Sequence, residues 1–155
     1  MEPRFTKFDL QNRTMDFALR VLALVRALPR GFGEEVIDRK DHKIKDANVL
    51  LLGVTFKENC PDCRNTKVIG IVEELEEFGC KVDIYDPWAS AEVVKHEYGK
   101  ELIAAVDPDK DYQAVIACVS HNQFKTFDFK KYKEQGAVIF DVKDFVDRSV
   151  VDARL

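Results

Sequence analysis

The sequence lacks several features that would announce a function. No apolar run reaches the roughly 18–20 residues a membrane span needs, so a spanning helix is not expected. The opening Met-Glu-Pro-Arg leads into no apolar stretch of the signal-peptide kind, so the cytoplasm is the expected location. There is no excess of positive charge: 24 Lys and Arg against 28 Asp and Glu leave a net −4. That balance gives no electrostatic footprint for nucleic acid or an anionic membrane surface. It does not forbid a small anionic ligand, which responds to local charge. No internal repeat or low-complexity tract is present. The four cysteines, Cys60, Cys63, Cys80 and Cys118, are too few for a disulfide framework in 155 residues and read as free thiols.

What is present suits a single globular domain with a real core, since hydrophobic residues make up 46% of the chain. The composition changes near residue 40. Before it, Phe17, Val21, Leu24, Val25 and Leu28 recur at helical spacing over residues 10–28, with Asp9 as N-cap and Pro29 and Gly31 as the stop. Such a broad stripe needs a partner, either the rest of the chain or a second copy, so a homo-oligomer is expected. Residues 34–46 are polar and read as a linker.

After that, strands and helices alternate. Asn48 to Gly53 is a short apolar run of the kind found in buried parallel strands. A helix over 66–79 carries Val68, Ile71, Val72, Leu75 and Phe78 on one face. Lys81–Tyr85 is a strand closed by Asp86-Pro87, and residues 90–98 form a helix. Leu102-Ile103-Ala104 is a short strand candidate. Ala114–Val119 is a stronger one, 128–135 a helix, and Ala137–Asp141 the last strand. This spacing predicts an α/β, Rossmann-like open sheet, mainly parallel, with helices on both faces and an N-terminal helix ahead of it. The expected division is residues 1–43, helix and linker, and residues 44–155, the α/β domain. In such a sheet ligands sit beyond the C-terminal strand ends. The loops of interest are therefore 54–65, 86–89 and 120–125.

The loop after the first strand lacks the Gly-x-Gly-x-x-Gly of dinucleotide binding. It has one glycine, Gly53, so it offers no close backbone approach to a pyrophosphate. It offers side-chain charge instead, from Lys57 and Arg64, with Asn59, Asp62 and Asn65 around them. Lysine is a point charge for phosphate and arginine a planar fork for phosphate or carboxylate. The residues alone read equally well as a solvated loop.

The run Leu51-Leu52-Gly53-Val54-Thr55-Phe56-Lys57-Glu58-Asn59-Cys60-Pro61-Asp62-Cys63-Arg64-Asn65-Thr66 is similar to the signature of the UDP-glucose/GDP-mannose dehydrogenase family, C-terminal domain. Three more motifs follow in order: Val82-Asp83-Ile84-Tyr85-Asp86-Pro87-Trp88-Ala89, Ser120-His121-Asn122-Gln123-Phe124 and Asp141-Val142-Lys143. The resemblance spans about residues 44–155. It implies the UDP-sugar-binding portion of an NAD-dependent 6-dehydrogenase, which oxidises a UDP-hexose or UDP-N-acetylhexosamine to the uronate with two NAD. The context of Trp88 looks most like the N-acetylhexosamine branch. Phe56 and Lys57 match the pair that contacts the UDP-sugar, and Arg64 matches an arginine that reaches the cofactor. Asn59, Asp62 and Asn65 are expected to shape the loop. The family's NAD domain and catalytic cysteine have no counterpart in the sequence. No catalytic residue is therefore expected here, and the chain alone is expected to be inactive.

Residues 5–40 resemble instead the first helix of the four-helix-bundle proteins encoded in intervening sequences of 23S ribosomal RNA genes. A divergent form of the dehydrogenases' connecting helix is the other reading. The alternative function is accordingly a non-catalytic fusion that serves as an oligomerisation or interaction module. Cys60-x-x-Cys63 lacks further ligands at zinc spacing, and its cysteines fall where the family signature is open, so no metal is expected. His121 reads as a ligand contact or proton carrier on one account and as loop packing on the other. Lys143 follows the last strand and either adds charge to the ligand side or is solvated.

Overall fold

The computed structural model describes residues 45–154. The helix expected at 10–28 lies outside the described residues. Within them the chain forms one five-stranded sheet whose strands are β1 (Asn48–Leu52), β2 (Lys81–Tyr85), β3 (Ala114–Ala117), β4 (Val138–Asp141) and β5 (Ala153–Arg154). Their order is β2-β1-β3-β4-β5, and every pairing is parallel. The α/β Rossmann-like architecture expected from the sequence is the architecture observed.

Residue period 2 divides the strands between two cores. Val49, Leu51, Ala114, Ile116, Val138 and Phe140 face one side, where they meet Ile71, Val72 and Leu75 of α1 (Val68–Glu77) and Val94 of α2 (Ala91–Tyr98). Leu50, Leu52, Val115, Ala117 and Ile139 face the other, where Phe129 and Tyr132 of α3 (Phe129–Glu134) close over them. Both faces are covered, which is why β1, β3 and β4 read as unbroken apolar runs. Local signals fix the helix ends. Ser90 and Asp128 cap α2 and α3 by accepting from the backbone N–H of Val93 and Lys131. Gly99 ends α2 in the left-handed region.

Three elements differ from expectation. Leu102–Ala104 is not a strand: Leu102 makes a single parallel bridge to Ile84, and Ile103 N–H donates to the Ile84 carbonyl, after which the chain leaves the edge. The strand expected as the last, Ala137–Asp141, forms as β4 but is not the last, because Ala153 and Arg154 add a fifth strand beside Phe140 and Asp141. Two residues with an arginine between them carry no apolar alternation to detect. A 3-10 helix, Asn122–Thr126, follows β3 and was not anticipated.

Candidate functional site

Because all five strands run the same way, the loops after β1, β2, β3 and β4 emerge at one edge of the sheet. The first leaves β1 at Gly53, whose φ is +92°. A Cβ there would stand 2.5 Å from Val119 Cβ. Glycine is therefore required for β1 to turn out beside β3 and for close packing. The space is filled by protein and does not accommodate a pyrophosphate. Together with the lack of further glycines in the loop, this means that the loop after β1 does not fit a dinucleotide cradle.

Beyond Gly53 the loop is held from both ends. Phe56 N–H donates to the Asp62 carbonyl at 2.8 Å, closing the segment between them. At its tip Phe56 is 60% exposed, and Lys57 and Glu58 are exposed beside it. Asn59 and Asn65 adopt positive φ, 53° and 57°, a conformation asparagine tolerates better than most side chains. Asp62 accepts from Arg64 three times: from its backbone N–H at 3.0 Å, from Nε at 2.9 Å and from Nη2 at 3.0 Å. This fork, though open to solvent, holds the Asp62 carboxyl at about 2, below the usual carboxylate range. Lys57, by contrast, forms no ion pair with any described residue.

The second loop supplies a buried carboxylate. Asp86, at the end of β2, has a side chain with no exposed surface. Its Oδ2 accepts from the backbone N–H of Val54 (2.7 Å) and Thr55 (3.1 Å) and from His121 Nε2 (3.0 Å). Its Oδ1 accepts from the backbone N–H of Trp88 (2.8 Å) and Ala89 (3.0 Å). Burial alone would raise its pKa. The His121 bond and the backbone donors outweigh burial and bring it down to about 2.

The third loop brings His121, also fully buried. Its Nδ1 accepts from the Asn59 backbone N–H at 2.9 Å, so Nδ1 carries no proton. The ring proton of this neutral imidazole is on Nε2, which lies 3.0 Å from both Asp86 Oδ2 and Thr55 Oγ1. Thr55 gives its own hydroxyl proton to the Lys57 carbonyl at 3.1 Å, leaving its oxygen free to accept. Asn59 Oδ1 completes the join by accepting from Asn122 N–H at 3.0 Å. Trp88 stacks on the His121 ring with centroids 6.4 Å apart, and its Nε1 donates to Gln123 Oε1 at 3.1 Å.

The fourth loop repeats the device. Buried Asp141 accepts from the N–H groups of Lys143, Phe145 and Val146. Arg154 of β5 ties the same loop down through Asp144 and the Val146 carbonyl. Lys143 itself is exposed.

Among the described residues no group of three or more His, Cys, Asp or Glu side chains could hold a metal ion. Cys60, Cys63 and Cys118 form no disulfide. Burial raises the thiols of Cys63 and Cys80, the latter to about 11. No described helix is long and apolar enough to cross a membrane.

An all-parallel α/β sheet with four loops gathered at the C-terminal strand ends is the architecture of a ligand-binding domain of the doubly wound class. Residues 50–148 match the model of the UDP-glucose/GDP-mannose dehydrogenase family, UDP binding domain. The chain belongs to that family. It is 42% identical over 120 residues to the UDP-N-acetyl-D-glucosamine 6-dehydrogenase of Salmonella typhi, covering 76% of this chain and 28% of that protein. It is 42% identical over 123 residues to the enzyme of the same name from Pseudomonas aeruginosa, covering 77% and 29%. The chain thus spans less than a third of the length of these relatives. Among solved structures, a UDP-glucose dehydrogenase from Pyrobaculum islandicum superposes with a TM-score of 0.64 at 19% identity, covering 92% of this chain and 29% of that one. That likeness concerns the fold.

Proposed function

We propose that residues 44–155 hold the UDP portion of a nucleotide sugar within an NAD-dependent 6-dehydrogenase acting on a UDP-hexose or UDP-N-acetylhexosamine. The N-acetylhexosamine substrates are favoured by the identity to the two UDP-N-acetyl-D-glucosamine 6-dehydrogenases. Phe56 and Lys57 contact the UDP-sugar. Arg64 serves the cofactor side. Asn59, Asp62 and Asn65 shape the loop that carries them. NAD belongs to this reading as the family's oxidant, held mainly by residues outside the described domain, with Arg64 its contact from the loop after β1. Self-association of the chain as a homo-oligomer in the cytoplasm belongs to the same reading.

The observation that carries the reading is the contrast between the loop's two cations. Lys57 stands exposed with no ion-pair partner among the described residues, while Arg64 is spent on Asp62 in a two-point fork. A phosphate therefore gains a charge-assisted bond from Lys57 at once, whereas Arg64 must first break the fork. Titrating UDP into the chain by calorimetry tests this. Lys57→Ala is expected to weaken binding by about 1–3 kcal/mol, and Arg64→Ala to change it by less than about 0.5 kcal/mol. Loss of binding in Arg64→Ala with normal binding in Lys57→Ala would reverse the assignment.

A further inference from the structure

We propose that His121 is a positioning residue for UDP, acting through the Asn59 backbone to fix the loop that presents Lys57. The inference rests on the reading of Lys57 as a UDP contact. It begins from an asymmetry in how the ring is bonded. On one side Nε2–H points to Asp86 and Thr55, groups already tied to each other where the chain leaves β1 and β2, since Asp86 Oδ2 accepts from the Val54 and Thr55 backbone. On the other side Nδ1 receives the Asn59 N–H, and Asn59 is a loop residue in the left-handed region. Asn59 lies two residues beyond Lys57, and the Lys57 carbonyl is itself held by the Thr55 hydroxyl. The Lys57 backbone is thus clamped before and after by two groups that both contact one imidazole.

Only one tautomer can do this. With the proton on Nδ1, two N–H groups would face each other across 2.9 Å, and the Asn59 bond would be lost. Asp86 selects the useful form, because its carboxylate accepts from Nε2–H. Trp88 and Phe124 both pack against the ring, with centroids 6.4 Å and 5.4 Å away. Holding the ring and choosing its tautomer are therefore the tasks of the second and third loops, and the first loop is what they serve.

The two ring nitrogens can be replaced separately. In His121→Asn the amide oxygen falls near the Nδ1 position and can accept from Asn59, but the side chain is too short to reach Asp86. In His121→Gln the longer amide can donate to Asp86 and leaves Asn59 without an acceptor. The full chain and these variants, with His121→Ala, are titrated with UDP and followed by amide exchange at Asn59. The expected affinity order is parent, then His121→Asn, then His121→Gln and His121→Ala together, these two weakened on the order of tenfold, as befits one lost buried bond. Asn59 amide protection should follow the same order. Lys57→Ala should cost less in the His121→Ala background than in the parent, because the two act through one loop. Long-range proton–nitrogen spectra of the unsubstituted chain should show the Nε2–H tautomer, a readout that needs no variant to fold. Rescue by His121→Gln and not by His121→Asn, additive losses in the cycle, or an Nδ1–H ring would each overturn the inference. A parent chain that fails to bind UDP, with Asn59 protected and the Nε2–H form present, would sink the proposed function and the UDP role together while leaving the loop clamp standing. A parent that binds UDP equally well with any residue at 121 would sink the inference alone.

Discussion

Replacing Asp86 with asparagine changes one atom and removes the charge at the point where three loops meet. The carboxylate accepts from five N–H groups, three on Oδ2 and two on Oδ1. An amide has one accepting oxygen. If that oxygen takes the Val54, Thr55 and His121 side, the new NH2 faces the donors of Trp88 and Ala89. The opposite rotamer strands the three on the buried side. The first arrangement is cheaper, since Trp88 is exposed and water can relieve its neighbours. Two N–H groups lose their acceptor, at about 1–3 kcal/mol each when buried. With partial hydration the expected loss is about 2–3 kcal/mol. The charge leads to a similar figure. Asp86 moves from 3.8 to about 2 on folding, and at about 1.4 kcal/mol per unit this is roughly 2 kcal/mol. Its folded pKa is depressed, so this contribution is complete above about pH 4 and is lost as the pH falls through about 2. Trp88, the single tryptophan of the chain, follows Asp86 by two residues and reports the site. Urea unfolding followed by its fluorescence should show a lower midpoint for Asp86→Asn with an unchanged slope. Between about pH 4 and pH 2 the difference between parent and variant should shrink. A midpoint shift worth under about 0.5 kcal/mol, the size of an ordinary surface substitution, or a gap that persists unchanged to pH 2, would refute the reasoning.

Two further outcomes are expected. Gly53→Ala should lose about 2–4 kcal/mol, combining a positive-φ alanine with overpacking against Val119. Thermal melts check it, and Val119→Ala should restore little of the loss, because alanine keeps the Cβ that stands 2.5 Å away; a variant that melts with the parent would remove the packing argument. Cys60 should label with maleimide ahead of Cys63, Cys80 and Cys118, because it alone of the four is not buried and burial raises the other three thiols. Peptide mapping after brief labelling decides this, and equal labelling at all four would contradict the burial pattern.

The parts of the fold that could be read ahead of the structure are those whose physics is local. β1, β3 and β4 are apolar runs because both faces are covered, and α1 and α2 announce themselves by a stripe and a stop. β5 could not be read, since its two residues owe their place to pairing with Phe140 and Asp141. Leu102 misled for the converse reason: an apolar residue beside a strand edge makes one bridge and no ladder. At the site, motif matching pointed to the loop after β1. Asp86 read as the end of a strand and as part of a matching motif with no role of its own, and His121 had two readings. Their shared role depends on contacts between residues 35 and 62 apart in sequence, which no periodicity encodes. The bidentate Asp62–Arg64 pair spans only two residues, yet spacing alone did not reveal that Arg64 is engaged.

The knot of Asp86, Thr55 and His121 also decides when entropy is spent. Fixing a loop backbone costs about 1–2 kcal/mol per residue, and in many binding sites that cost falls on the arriving ligand. Here the stretch from Val54 to Asn59 is fastened to two other loops by bonds that form as the sheet folds. The ordering is done before any ligand arrives. A ligand at this edge therefore meets a rigid surface and spends little on immobilising it. The remaining cost of capture is confined to the exposed Phe56 and Lys57 side chains.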